Sequence, residues 1–152
     1  MSAETTLTAM ASVLPTAAIQ QTLVEAALDT LSGATPALIL FCPETVEEKH
    51  ATGKRREIHT VVALYLDRWD SNTRTAQELA ADARANLGGM KANLRANRTL
   101  TVSGTDHALS AGEHIKTQRL GILEDVEGQR LPFPMYAAVL TIEQIADLWF
   151  TG

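Results

Sequence analysis

The stretch EIHTVVALYLDR, residues 57–68, decides the fold. Ile58, Thr60, Val62, Leu64 and Leu66 alternate with His59, Val61, Ala63, Tyr65 and Asp67. A period of two puts the sets on opposite faces of a strand, here a long one for a globular domain. Just upstream, ALILFC (37–42) is short, continuously apolar and closed by Pro43, the pattern of a strand covered on both faces. Between the two runs lies PETVEEKHATGKRRE, in which Glu44, Glu47 and Glu48 precede Lys49, Lys54, Arg55 and Arg56, with Gly53 to turn the chain. Connections of this length without structure of their own are usually functional or disordered. Residues 44–57 are therefore expected to form an extended charged loop, either an interaction arm or a floppy hairpin. Glu47, Glu48, Lys49, Lys54, Arg55 and Arg56 are its candidate contact residues.

Outward from this pair, helices are expected on both sides. Pro15 suits a first helical turn, and Ile19, Leu23, Ala27 and Leu31 recur at spacing four, with Gly33 and Pro36 to stop the helix, so residues 15–32 are expected to be helical. Residues 1–14 fit either a short helix or a loosely attached, flexible arm. Asp70, Ser71 and Asn72 offer N-cap oxygens ahead of Ala76, Leu79, Ala80, Ala83 and Leu87, which predicts a helix over 72–87 broken by Gly88-Gly89, after which Met90 and Leu94 can prolong or restart helical structure until Asn97. Then come a short strand at 99–103, a polar loop, a strand from Ile115 to Leu123 and a turn between Asp125 and Gly128. Pro132 and Pro134 keep LPFP out of a central ladder. The alternation from Tyr136 to Glu143 is the last clear strand, and IADLWF either extends it or forms a short helix. This mixture predicts one α+β domain over 1–152, its mixed and mainly antiparallel sheet packed on one face by two helices. The expected core is Leu23, Leu38, Leu40, Val62, Leu64, Leu79, Ala83, Leu140 and Ile142.

Composition narrows the function classes. The 152 residues are 45% hydrophobic and 20% charged, as in ordinary folded domains. The 18 acidic against 13 basic residues, a net charge of -5, speak against a dedicated nucleic-acid binder. No apolar stretch reaches the ~20 residues of a membrane span, and no secretory signal is read. The single cysteine, Cys42, excludes an intramolecular disulfide and a multi-thiolate zinc site.

Candidate chemistry is sparse. Cys42 with His50 and His59 is the one cluster resembling a metal or nucleophile set, yet its spacing matches no ligand pattern, and a cysteine ending an apolar strand behaves as a small hydrophobe. His107 and His114, with Asp106 and Glu113, carry groups able to do acid–base work but have no nucleophile at a recognisable offset. Gly104 and Gly112 make no phosphate-binding pattern. Lys91, Arg95 and Arg98 form a basic helix face of the kind normally solvated. No catalytic, metal-binding or cofactor residue is assigned. Trp69, Trp149 and Phe150 sit near element ends; aromatic groups there cap core edges or serve as contacts, and Trp149 and Phe150 join the candidate interaction residues.

The segments IHTVVALYLDRW, RTAQELAADARANL and PMYAAVLTIEQIADLW, following an N-terminal helix, a strand and a charged loop, resemble the tail terminator and tail-completion proteins of long-tailed bacteriophages. The likeness covers residues 15–149 and rests on element order, not on an invariant motif. It implies a non-enzymatic virion protein: a homo-oligomeric ring, a hexamer, at the head-proximal end of the tail tube. Its partners would be further copies of itself, the tail tube protein and the head-tail connector, with DNA passing through the lumen without specific binding. It would be made in the host cytoplasm. The charged loop at 44–57 is the best match to an arm reaching a neighbour. Another phage neck or tail component, or a small intracellular α+β enzyme or ligand-binding protein using the His107 to His114 loop, is the alternative.

Overall fold

The alternating run at 57–68 lies at the centre of the sheet. In the computed structural model, residues 3–26, 30–51, 54–70, 72–97, 100–102, 105–107, 114–126 and 128–150 are described, with side chains over 4–26, 30–49, 57–70, 72–97, 115–125, 128 and 130–143. Along the chain come α1 (Ala3–Val13), β1 (Gln21–Val24), β2 (Ala37–Ala51), β3 (Lys54–Arg68), α2 (Ala76–Ala96), β4 (Leu100–Val102), β5 (Thr105–His107), β6 (His114–Val126) and β7 (Gln129–Phe150). Five strands form one sheet in the order β1-β2-β3-β7-β6, and β4 and β5 pair separately. Among the described residues only β1 with β2 is parallel; β2–β3, β3–β7, β6–β7 and β4–β5 are antiparallel. The fold is α+β, with a mixed, mainly antiparallel sheet and two helices.

The alternation along β3 sorts the core into two layers. Val61, Ala63 and Tyr65, with Leu38 and Leu40 of β2 and Ala138, Leu140 and Ile142 of β7, form the face that both helices cover. α1 contributes Leu7 and Met10, with Leu14 just after it, and α2 contributes Leu79, Ala83, Leu87, Met90 and Leu94. The opposite face gathers Leu64, Leu66, Ala37, Ile39, Met135 and Ala137 under Leu31 and Leu131. Of the expected core, Leu38, Leu40, Leu64, Leu79, Ala83, Leu140 and Ile142 are buried, whereas Leu23 and Val62 are half-buried.

Several expectations are corrected. No helix spans 15–32: residues 21–24 are strand β1, and residues 27–29 lie outside the described ones. The apolar residues that mimic a helical stripe divide between the faces of the sheet, Ile19 joining the helix side and Leu23 and Leu31 the other. Backbone pairing to Ala37–Leu40, together with the bond from Gln20 N to Pro36 O at 2.8 Å, replaces the intrahelical ladder. The N-terminal helix is α1 instead, and Leu7, Met10 and Leu14, all fully buried, hold residues 3–14 in the core rather than leaving them a loose arm.

α2 starts later than expected and runs to Ala96 as one unbroken helix. Its N-cap is Thr75, in a reciprocal capping box with Glu78, while the Asp70 side chain accepts from Asn72 N in the turn before it. Gly88 and Gly89 do not break the helix. A mid-helix glycine costs roughly 1 kcal/mol relative to alanine, and burial of Leu87, Met90 and Leu94 offsets that. At Gly89 the small residue is needed, because a Cβ there would stand 2.7 Å from the Thr16 methyl. Pro132 and Pro134 do stay out of the ladders, falling between Arg130 and Met135 where the β6–β7 register shifts. The C-terminal segment extends β7 to Phe150.

Candidate functional site

The charged segment is not a loop. β2 and β3 pair without a break from Glu44 with Thr60 to Lys49 with Arg55, and close with Ala51 opposite Lys54; the turn itself, 52–53, lies outside the described residues. Charged side chains along both strands hide the period of two that would have announced the hairpin. β7 continues along β3, so Glu57 stands opposite Asp147, Arg56 opposite Leu148, Arg55 opposite Trp149 and Lys54 opposite Phe150. The result is a three-stranded arm, about 25 Å long at ~3.3 Å per residue, growing out of the end of the sheet where the buried core stops.

All eight candidate contact residues fall on this arm. The backbone register sets Glu47 beside Glu57, Glu48 beside Arg56 and Lys49 beside Arg55, with Trp149 and Phe150 on the far side of β3. Two stretches nominated separately, the charges at 47–56 and the aromatic pair at 149–150, thus converge through the sheet. Charge is graded along it: Glu44, Glu47, Glu57, Glu143 and Asp147 occupy the root rows, Glu48 and Arg56 share the row between, and Lys49, Lys54 and Arg55 take the rows near the turn. The side chains of residues 54–56 and 149–150 lie outside the described ones.

A polar row pins the root. His59 is 1% exposed; its Nδ1 is 2.8 Å from Thr45 Oγ1 and its Nε2 is 3.3 Å from Glu57 Oε1. With Nε2–H donating to the carboxylate, Nδ1 accepts the threonine hydroxyl proton. Cys42 Sγ–H donates to Glu44 O at 3.3 Å and lies 3.8 Å from Thr45 Oγ1. Cys42 and His59, noted together in the sequence, are therefore joined through Thr45, a residue the sequence did not single out; the His50 side chain lies outside the described residues. Hydroxyl, imidazole and carboxylate in this order can activate a hydroxyl. Here the imidazole is buried on one face of the sheet, and the row cross-links β2 to β3. Among the described residues no group of three or more His, Cys, Asp or Glu is placed to hold a metal ion.

A second polar centre lies at the other end of β3. The buried carboxylate of Asp67 is held by Arg74, which also reaches Asp82. Tyr65 Oη donates to Asp67 Oδ2 at 3.5 Å and accepts from Asn86 Nδ2 at 3.1 Å; Thr16 Oγ1 donates to Asn86 Oδ1 at 3.0 Å. Desolvation raises the Tyr65 pKa, so the phenol stays protonated as a donor. A cleft of about 300 Å³ opens here, lined by Ala18, Pro36, Asp67, Arg74, Asp82 and Asn86. The signal in the sequence was an aspartate on the same strand face as Val61, Ala63 and Tyr65, where an unpaired charge is not tolerated. His107 and His114 are not brought together in one strand pair: His107 pairs with Leu100 and His114 with Glu143. Arg95 is exposed and Lys91 half-buried on α2; Arg98 lies outside the described residues. No helix among the described residues is long and apolar enough to cross a membrane. Compared with known proteins, the chain matches no family model and no curated protein.

Proposed function

We propose that this chain is a structural virion protein, a tail terminator that forms a ring at the head-proximal end of a phage tail tube, stops tube growth and joins the tail to the filled head. The observation that carries the reading is the arm: charged residues of β2 and β3 and the aromatic end of β7 meet on one three-stranded projection beyond the core. A projection of mixed sign with aromatic residues at its end suits contact with a neighbouring copy or the tube better than solvent alone. A net charge of -5 suits a lumen through which DNA passes without sticking. The likeness to tail terminators in element order is a second support, with the helix now at α1 instead of 15–32.

The test is an arm-shortened chain, with residues 48–56 replaced by Asn-Gly so that Glu47 and Glu57 flank a two-residue turn. Purified wild type should form rings in electron micrographs and limit the length of tail tubes assembled in its presence. The shortened chain should keep a cooperative melt and lose both properties. Rings and capped tubes from the shortened chain would overturn the reading, as would a wild type that leaves tube growth unchecked.

A further inference from the structure

We infer that Thr45 is an acyl-accepting nucleophile, with His59 as its general base and Glu57 as the positioning carboxylate, and that its substrates are small neutral esters with a good leaving group. The inference goes beyond the ring reading and does not depend on it. Thr45 stands opposite His59 across the β2–β3 pair, with its Oγ1 2.8 Å from Nδ1. Nε2 of the same ring lies 3.3 Å from Glu57 Oε1. A hydroxyl within hydrogen-bond reach of an imidazole that a third group orients is the arrangement that activates a weak nucleophile. Thr45 is exposed while His59 is buried, so a reagent can approach the hydroxyl while the base behind it is shielded from water.

The strand edge adds a donor and a selection. β1 pairs with β2 only from Ala37 to Leu40, so among the described residues the strand around Thr45 has β3 as its sole partner. Along an antiparallel strand the N–H groups point alternately toward the partner and away from it. An outward N–H therefore stands either at Thr45 or at both of its neighbours, Glu44 and Val46. Such a group is the kind of donor that stabilises the oxyanion formed when a hydroxyl attacks an acyl carbon, and one donor contributes about 10²–10³ in rate. Glu44 and Glu47 flank Thr45 on β2, and Glu57 lies one pair further along β3 on the far side of Ile58. Carboxylates on these sides favour a neutral acyl group over an anionic one.

The chemistry follows from these positions. Thr45 Oγ1 forms a bond to the acyl carbon, its proton passes to His59 Nδ1, and the leaving alkoxide or phenolate departs with the electron pair of the broken ester bond. Glu57 faces the Nε2–H of the resulting imidazolium, which then gives its extra proton to solvent. In the second half a water molecule attacks the acyl-threonine, with Nδ1 taking the water's proton and returning it to Thr45 Oγ1. The carboxylic acid leaves and the hydroxyl is restored. Base catalysis of this kind contributes about 10²–10⁴ in rate.

The test uses the full chain with Cys42→Ala, which removes the competing thiol, and p-nitrophenyl acetate as the probe. After an acid quench at short times, peptide mass spectrometry should find the acetyl group on Thr45 roughly 100-fold more than on Thr8 and Thr73. Those exposed threonines donate to the backbone carbonyls of Glu4 and Asp70 instead of to a base. Thr45→Val should lose the adduct and slow p-nitrophenolate release, and Thr45→Ser should keep both; Thr45→Ala serves the same comparison if the valine variant fails to fold. Glu57→Gln keeps an acceptor for Nε2–H and loses the charge, so it should slow acetylation about tenfold at an unchanged melting temperature, and an unchanged rate there overturns the role of Glu57. An enriched adduct at Thr45, or release that depends on its hydroxyl, supports the inference. No enrichment at Thr45 together with equal release from the chains lacking its hydroxyl overturns it.

Discussion

Arg74 closes a fork on the fully buried carboxylate of Asp67, its two terminal nitrogens donating at 2.9 and 2.8 Å to Oδ2 and Oδ1. The same guanidinium donates to Asp82 Oδ2 at 2.9 Å, so one side chain ties the end of β3 to the first turns of α2. A buried carboxylate stripped of its partner is strongly destabilising, whereas an exposed pair contributes little. Arg74→Ala is expected to lower stability by about 3 kcal/mol in urea melts, the low end of the range because Arg74 is itself 30% exposed. Arg74→Lys should recover less than half, since an ammonium cannot form the fork, and Asp82→Ala should cost under about 1 kcal/mol. Equal losses for Ala and Lys at 74 would support the fork as the source; full rescue by Lys would count against it.

The two adjacent glycines of α2 should respond oppositely to alanine. A Cβ at Gly88 meets nothing within 4 Å, so Gly88→Ala should stabilise by about 0.5–1 kcal/mol. At Gly89 the new methyl would press on Thr16, whose hydroxyl is bonded to Asn86, so Gly89→Ala should gain nothing or destabilise. Thermal melts of the two variants decide it, and equal gains would mean that Thr16 yields freely.

Replacing His59 by alanine should destabilise by about 2–4 kcal/mol, through lost packing and two lost polar contacts. Thr45→Val should cost about 1–2 kcal/mol, since it strands one imidazole nitrogen. Hydrogen exchange along β2 should rise in both variants, most near Thr45. If exchange there is unchanged, the row is not what pins the arm to the sheet.

Thr6 on α1 is fully buried, and its hydroxyl has no hydrogen-bond partner among the described residues. Removing such a group at constant shape spares its desolvation cost, so Thr6→Val is expected to raise stability, by up to about 1 kcal/mol in the same melts. A loss above about 0.5 kcal/mol would reveal a bond that the hydroxyl makes in solution.

Local pattern alone determined the strands at 37–42, 57–68 and 136–143, the existence of α2 and the α+β class, because in each the apolar period repeats along the chain itself. The eight arm residues were also legible as a charged run and an aromatic pair. Tertiary structure decided the rest. The spacing of Ile19, Leu23 and Leu31 fits a helix, but the competition is won by β1 pairing with β2, a contact the period cannot encode. Residues 44–57 carry no apolar alternation, and they become strands because β3 supplies hydrogen bonds to both neighbours. Trp149 and Phe150 come to stand opposite Arg55 and Lys54 only through a strand register between segments about a hundred residues apart in sequence. Asp67 follows the same logic: its place on a buried face was readable from the period of two, while the cation that makes the burial tolerable comes from the turn after β3, and only the folded chain brings it there.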